Sequence, residues 1–154
     1  MDDLTWARVL HVCASVGWIG SLWFVALSLL PAVKAGEAPE ARVPLVRRLT
    51  ADHTRQSQWW VALIGLSGLW MTWRADLWGR FAEARFWWMH VMVGVWVLFA
   101  LILFVLEPLS RGRPRRESDD PERAFAGIVK HHRVLSIVTL ITLVVSLAGS
   151  HGLF

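Results

Sequence analysis

Charge is scarce in this sequence, sulfur chemistry scarcer still, and tyrosine is absent. Asp, Glu, Lys and Arg make up 18% of 154 residues, against 55% hydrophobic residues, and there is a single cysteine. Soluble domains carry about 25% charge, so an ordinary globular protein with a charged skin is excluded. The apolar content equally excludes intrinsic disorder. Cys13 alone supports neither a disulfide framework nor a cysteine-based zinc site. No nucleophile-elbow motif, glycine-rich phosphate loop or buried carboxylate pair is present, which leaves no hydrolytic constellation. No strong internal repeat is visible, and the length suits one domain, 1–154.

The charges that do occur are segregated. Residues 9–33, 56–73, 86–106 and 134–154 contain no Asp, Glu, Lys or Arg. Each stretch approaches or exceeds the roughly 20 apolar residues that a helix needs to cross a ~30 Å hydrocarbon core. The expectation is an all-α chain with four transmembrane helices, because helices satisfy their own backbone in lipid. Short connections favour an up-down four-helix bundle. Span one is expected to end near Pro31 and span three at Glu107-Pro108. Residues 34–55 read as an amphipathic or extended helix leading into span two. Residues 108–131 read as a solvated cytoplasmic loop. Asp2 and Asp3 stand where a signal peptide has its basic leader, so span one reads as a retained helix.

Basic charge then orients the chain. Lys34, Arg42, Arg47, Arg48 and Arg55 flank the first connection. Arg111, Arg113, Arg115, Arg116, Arg123, Lys130 and Arg133 flank the third. Twelve of the 16 basic residues thus share one face, leaving Arg8, Arg74, Arg80 and Arg85 on the other. The positive-inside rule makes the richer face cytoplasmic. Both termini are then expected in the periplasm, with the chain in the inner membrane. Topology and attraction to anionic lipid account for the pI near 10.5, so nucleic acid is not an expected partner. The 11 tryptophans read mainly as interfacial belts: Trp6, Trp70, Trp73, Trp78, Trp87 and Trp88 outside, Trp59 and Trp60 inside.

An ionisable residue inside a span is a functional hypothesis by default. The orientation sorts six histidines into an outer group, His11, His90 and His151, and an inner group, His53, His131 and His132. Spans one and three are diagonal in an up-down bundle. His11 and His90, at matched depth, are therefore expected to be axial ligands of an outer haem b. Gly94, one turn below His90, and Gly17 below His11 would leave room for a flat ring, although small residues also serve helix packing. Arg8 and Arg85 stand near enough to the outer surface to pair with propionates, or simply to anchor the interface. His53 and His132 form a second diagonal pair and a second possible haem site. His132 continues into a stripe of Ser136, Thr139, Ser146 and Ser150, expected to face the protein interior. The competing ligand is copper, held by Cys13, Met89 and Met92 with His11 and His90. Helical phase counts against one chelate, since His11 and Cys13 lie about 200° apart on their helix.

The run His11-Val12-Cys13-Ala14-Ser15-Val16-Gly17-Trp18-Ile19-Gly20 resembles the first span of CopD-like and HemJ-like membrane proteins. Gly65-Leu66-Ser67-Gly68-Leu69-Trp70 is similar to their second span, and Trp88-Met89-His90 to the Trp-x-His of HemJ-like span three. The HemJ-like branch implies haem b and protoporphyrinogen oxidation, and the CopD-like branch implies copper handling. HemJ-like proteins carry Lys two residues after the span-three His, where this chain has Met92.

The functional expectation is a small b-type cytochrome, passing electrons from a quinol or partner subunit to an outer acceptor. Its status as an enzyme is left open, between an oxidoreductase and an electron-transfer subunit. Lipid, a quinone, a periplasmic or membrane redox partner and a homo-oligomer are the expected partners. Topology is directly testable. A cytoplasm-active reporter inserted after Gly36 should work, and one inserted after Gly79 should be silent; the reverse pattern would overturn the orientation.

Overall fold

A computed structural model describes residues 2–111 and 120–153. Every regular element among the described residues is helical. Helix α1 (Asp3–Gly36) is capped by Asp2, whose carboxylate accepts the Leu4 N–H, with Asp3 in the first turn. Helix α2 (Pro39–Leu49) follows, then α3 (His53–Arg74). Two 3-10 turns, Trp78–Ala82 and Ala84–Phe86, lead into α4. That helix comprises Trp87–Leu101 and runs on through Ile102–Leu106 to Glu107–Arg111. Helix α5 spans Pro121–Ser150.

The prolines expected to end the first and third spans do not end them. Proline has no N–H, and its ring strikes the carbonyl four residues back. Before Pro31 the chain absorbs this in one π-helical turn, Val25–Leu29, where the Leu30 N–H reaches back five residues to the Val25 carbonyl. Before Pro108 the turn Ile102–Leu106 does the same, with the Glu107 N–H on the Ile102 carbonyl. In that register the missing Pro108 donor faces the Leu103 carbonyl. Gln58 of α3 supplies a donor instead, its side-chain amide 2.8 Å from that oxygen. Both helices therefore continue, to Gly36 and Arg111.

The expected loop 108–131 is likewise partly helix. Asp120 accepts from the Arg123 N–H, Pro121 takes the first helical turn and Glu122 adds favourable charge there. Residues 112–119 of that stretch lie outside the described residues. The α5 start and cap form a helix-start signature that composition alone concealed.

Among the described residues, three helices are long and apolar enough to cross a membrane: α1, α4 with its flanks (Ala84–Leu109), and α5. Helix α3 has 22 residues, about 33 Å at 1.5 Å per residue. Four tryptophans and two glutamines lower its hydropathy below theirs. It ends in a Schellman turn, with Asp76 at φ 48° and the Leu77 N–H on the Thr72 carbonyl at 2.9 Å.

Helix α1 packs most extensively on α3 and also on α5, while α4 packs on α3 and α5. An ion pair of 2.8 Å joins Asp3 to Arg74, so α1 and α3 run antiparallel. Ala14, Trp18 and Leu22 of α1 meet Val61 and Ile64 of α3 and Phe99 of α4 in the main core. Trp18 meets Phe99 edge-on at 4.5 Å between centroids. A second core lies at the other end, where Val25, Leu30 and Val33 of α1 join Val46 of α2 and Phe125 of α5. Arg42 braces it, bonded to Glu122 at 2.6 Å and to the Glu37 carbonyl, and lying over the Phe125 ring.

Glycines admit indoles at two helix crossings. A Cβ at Gly65 would overlap the Trp96 ring, whose N–H donates to the Val61 carbonyl at 2.8 Å. A Cβ at Gly149 would overlap the Trp88 ring. Trp88 is therefore buried rather than part of the outer belt, and Trp60 lies against Gly17. Trp6, Trp70, Trp73, Trp78, Trp87 and Trp59 are exposed, as belt residues should be. Gly149→Ala should cost about 1–3 kcal/mol by overpacking, read as a lower thermal midpoint in detergent. Gly20→Ala, with open space at its Cβ, should not lower it; equal midpoints for both variants would contradict the socket.

Candidate functional site

The outer histidines take different surroundings. His11 shares the inward stripe of α1 with Ala14 and Trp18. Its Nδ1 lies 3.0 Å from the Ile64 carbonyl and 3.1 Å from the Ser67 hydroxyl, both on α3. A carbonyl only accepts, so Nδ1 carries the proton and Nε2 keeps its lone pair. His90 is exposed on α4, touching the Phe81 ring edge-on at 5.4 Å. It shares its stripe with Gly94, Val97 and Leu101, all exposed. The structure thus does not turn His11 and His90 toward one space. Nothing stands near a Cβ position at Gly94, whereas Gly17 is filled by Trp60. Arg85 pairs with Glu83 at 2.7 Å and lies over Phe86, and Arg8 is exposed.

The sulfur set is not gathered either. Cys13 is exposed, while Met89 is buried in the core. Among the described residues, no group of three or more His, Cys, Asp or Glu side chains is placed to hold a metal ion. His151 is exposed, with Nδ1 on the Leu147 carbonyl at 2.9 Å. The polar stripe of α5 turns inward at its centre. Thr139 is buried and lies 3.4 Å from the Trp23 N–H, while Ser150 at the end is exposed.

The inner histidines converge on one space. A cavity of about 840 Å³ lies among α1, α2, α3, α4 and α5, and both His53 and His132 line it. That volume falls within the range of about 300–1,000 Å³ typical of ligand sites. Trp18, Leu22, Phe99, Leu103 and Leu135 form its apolar wall. Arg47, Thr54, Ser57 and His131 supply polar groups, and Glu40 and Glu107 line the cavity as well. The π turn of α4 contributes Ile102 and Leu103, so the backbone adjustment before Pro108 shapes the wall. His132 donates Nδ1–H to the Ile128 carbonyl at 3.0 Å, which leaves Nε2 unprotonated in the neutral ring. His131 stands edge-on to it at 5.8 Å.

Both rings sit beyond the charge-free stretches, His53 before 56–73 and His132 between Lys130 and Arg133. Burial holds His53 below the usual histidine range, and the neighbouring charge of His132 adds to this. Burial also lowers His132, against the opposing pull of the Ile128 carbonyl, and His131 lowers it further. Two neutral imidazoles, the form that ligates metals, therefore face one largely apolar space. Topology had suggested the pair as a second site; the cavity depends on α2, expected as a helix within 34–55, and on the π turn, which no motif announced.

No family model matches the chain, and searches of curated proteins and of solved structures find no similar protein.

The lowered pKa values have a consequence for stability. Below about pH 6.5 the unfolded chain protonates these rings while the folded chain resists. The folded state then binds fewer protons, so stability is full above that pH and falls as pH drops through it. The thermal midpoint in detergent should fall between pH 7.5 and 5.5, and His53→Gln should flatten the drop. A drop unchanged by the substitution would contradict the assignment.

Proposed function

We propose that the chain is a haem-binding, electron-transferring protein of the cytoplasmic membrane, with its site in the inner cavity between His53 and His132. The observation that carries this reading is that two imidazoles, from α3 and α5, line one mostly apolar space. In this reading α1, α3, α4 and α5 cross the membrane as an up-down four-helix bundle. The contacts of α1 and of α4 with both α3 and α5 accord with α1 and α4 as one diagonal pair and α3 and α5 as the other. The second diagonal carries the inner histidines. The basic connections face the cytoplasm, as the positive-inside rule requires.

The donor set suits a porphyrin better than a bare ion. A macrocycle brings its own four nitrogens and asks only two axial groups of the protein. A copper centre built from side chains alone needs more donors than are gathered here. When bound, haem supplies a one-electron ferric/ferrous couple.

The chain's own residues would do the rest. His132 is oriented by its Nδ1–H bond to the Ile128 carbonyl, which fixes the tautomer and raises the basicity of Nε2. Trp18, Leu22, Phe99 and Leu103 would give the macrocycle an apolar wall. Arg47 offers a guanidinium fork for a propionate carboxylate. The resemblance of the first three spans to the HemJ-like pattern accords with haem b, although the site favoured by the geometry differs from the outer pair expected from that pattern.

Dithionite-minus-oxidised absorbance spectra of the purified chain test this reading. A Soret band with sharp reduced α and β bands is expected. His53→Ala or His132→Ala should abolish it, and His90→Ala should leave it intact. A colourless protein, or a band lost only with His11 and His90, would overturn the assignment.

A further inference from the structure

His53 and Thr50 also line a second space. A groove of about 610 Å³ lies between the π turn of α1, the end of α2 and the first turns of α3. It has two poles. Phe24, Leu29 and Trp59 form an apolar pole, and Phe24 and Trp59 are 61% and 68% exposed. Asp52, Arg55 and Gln56 form the polar pole. The groove therefore straddles the boundary at residue 56, where the charge-free stretch of α3 begins.

Its chemistry selects among amphipathic ligands. Asp52 and Arg55 offset each other, which favours a neutral head group. A phospholipid phosphate would meet the Asp52 carboxylate as well as the Arg55 guanidinium. A quinone ring asks for donors at its carbonyl oxygens, and Arg55 and the Gln56 amide provide them. The corresponding quinol asks for an acceptor, and the carboxylate of Asp52 and the amide oxygen of Gln56 provide one. An isoprenoid tail would leave along the exposed faces of Phe24 and Trp59 into the bilayer.

We propose that this groove binds the ring of a membrane quinone or quinol. Because His53 lines both spaces, the ring would lie one side chain away from the inner cavity. The inference rests on the haem reading for its purpose, since a quinone is the redox partner that such a site would use. Binding itself requires no haem.

The test uses the full chain in phosphatidylcholine nanodiscs with a photoreactive azido-quinone, irradiated and mapped by peptide mass spectrometry. Label is expected on residues 21–29 or 49–59, competed by a short-tailed quinone but not by phosphatidylglycerol. Gln56→Leu should weaken labelling by about fivefold to tenfold, as loss of one ligand hydrogen bond does. Asp52→Asn serves as a second variant, and both are compared at matched thermal midpoints. Label elsewhere, label indifferent to competing quinone, or displacement by phosphatidylglycerol would overturn the proposal. A difference spectrum on the same sample separates the two claims. Haem present without groove label overturns this inference alone, whereas specific label without haem supports the groove and overturns the haem reading.

Discussion

A missing N–H at each of two prolines organises the inner half of the molecule. Pro31 and Pro108 lie near the ends of two long helices, where a break would leave carbonyls unpaired near lipid. The backbone instead widens by one π turn on each helix. Residues of the first turn, Val25 and Leu29, line the groove, and residues of the second, Ile102 and Leu103, line the cavity. The Gln58 amide covers the Leu103 carbonyl that Pro108 leaves without a donor. Two local backbone problems thus produce the walls of two adjoining spaces, with His53 between them. π turns recur at functional sites for this reason: they displace side chains without ending the helix.

The outer half is built on the opposite principle. There the helices meet closely, with Trp96 set against Gly65 and Trp88 against Gly149. His11 is held by the Ile64 carbonyl and Ser67. These contacts fill the interior where the inner half leaves it open. Tight packing at one end and space at the other make the end that carries His53 and His132 the natural place for a large ligand. Arg42 and its bonds to Glu122 and Glu37 close that end from below.

Helix existence was legible in the sequence, and helix phase was not. Four charge-free stretches located α1, α3, α4 and α5, because charge is expensive in hydrocarbon whatever its direction. Facing is harder to read, since a helical stretch such as 91–101 of α4 is apolar on every side and carries little periodic signal. His90 and Gly94 consequently looked like one cradle, although both lie on the exposed face. Proline was legible as a perturbation but misleading as a stop, because the π turn costs less than a broken helix. The Asp120-Pro121-Glu122 start was readable from capping chemistry. Its neighbours, rich in Arg and Pro, made it look like loop. The pairing of His53 with His132 followed from topology, whereas the cavity joining them needed the packing of five helices.

Low-temperature EPR of the oxidised chain tests the central claim most directly, because it reports the axial ligands themselves. Two imidazoles hold ferric haem in the low-spin state. The account predicts a low-spin signal that disappears on His132→Ala or His53→Ala and persists in His11→Ala and His90→Ala. A low-spin signal that survives loss of both inner histidines would contradict it.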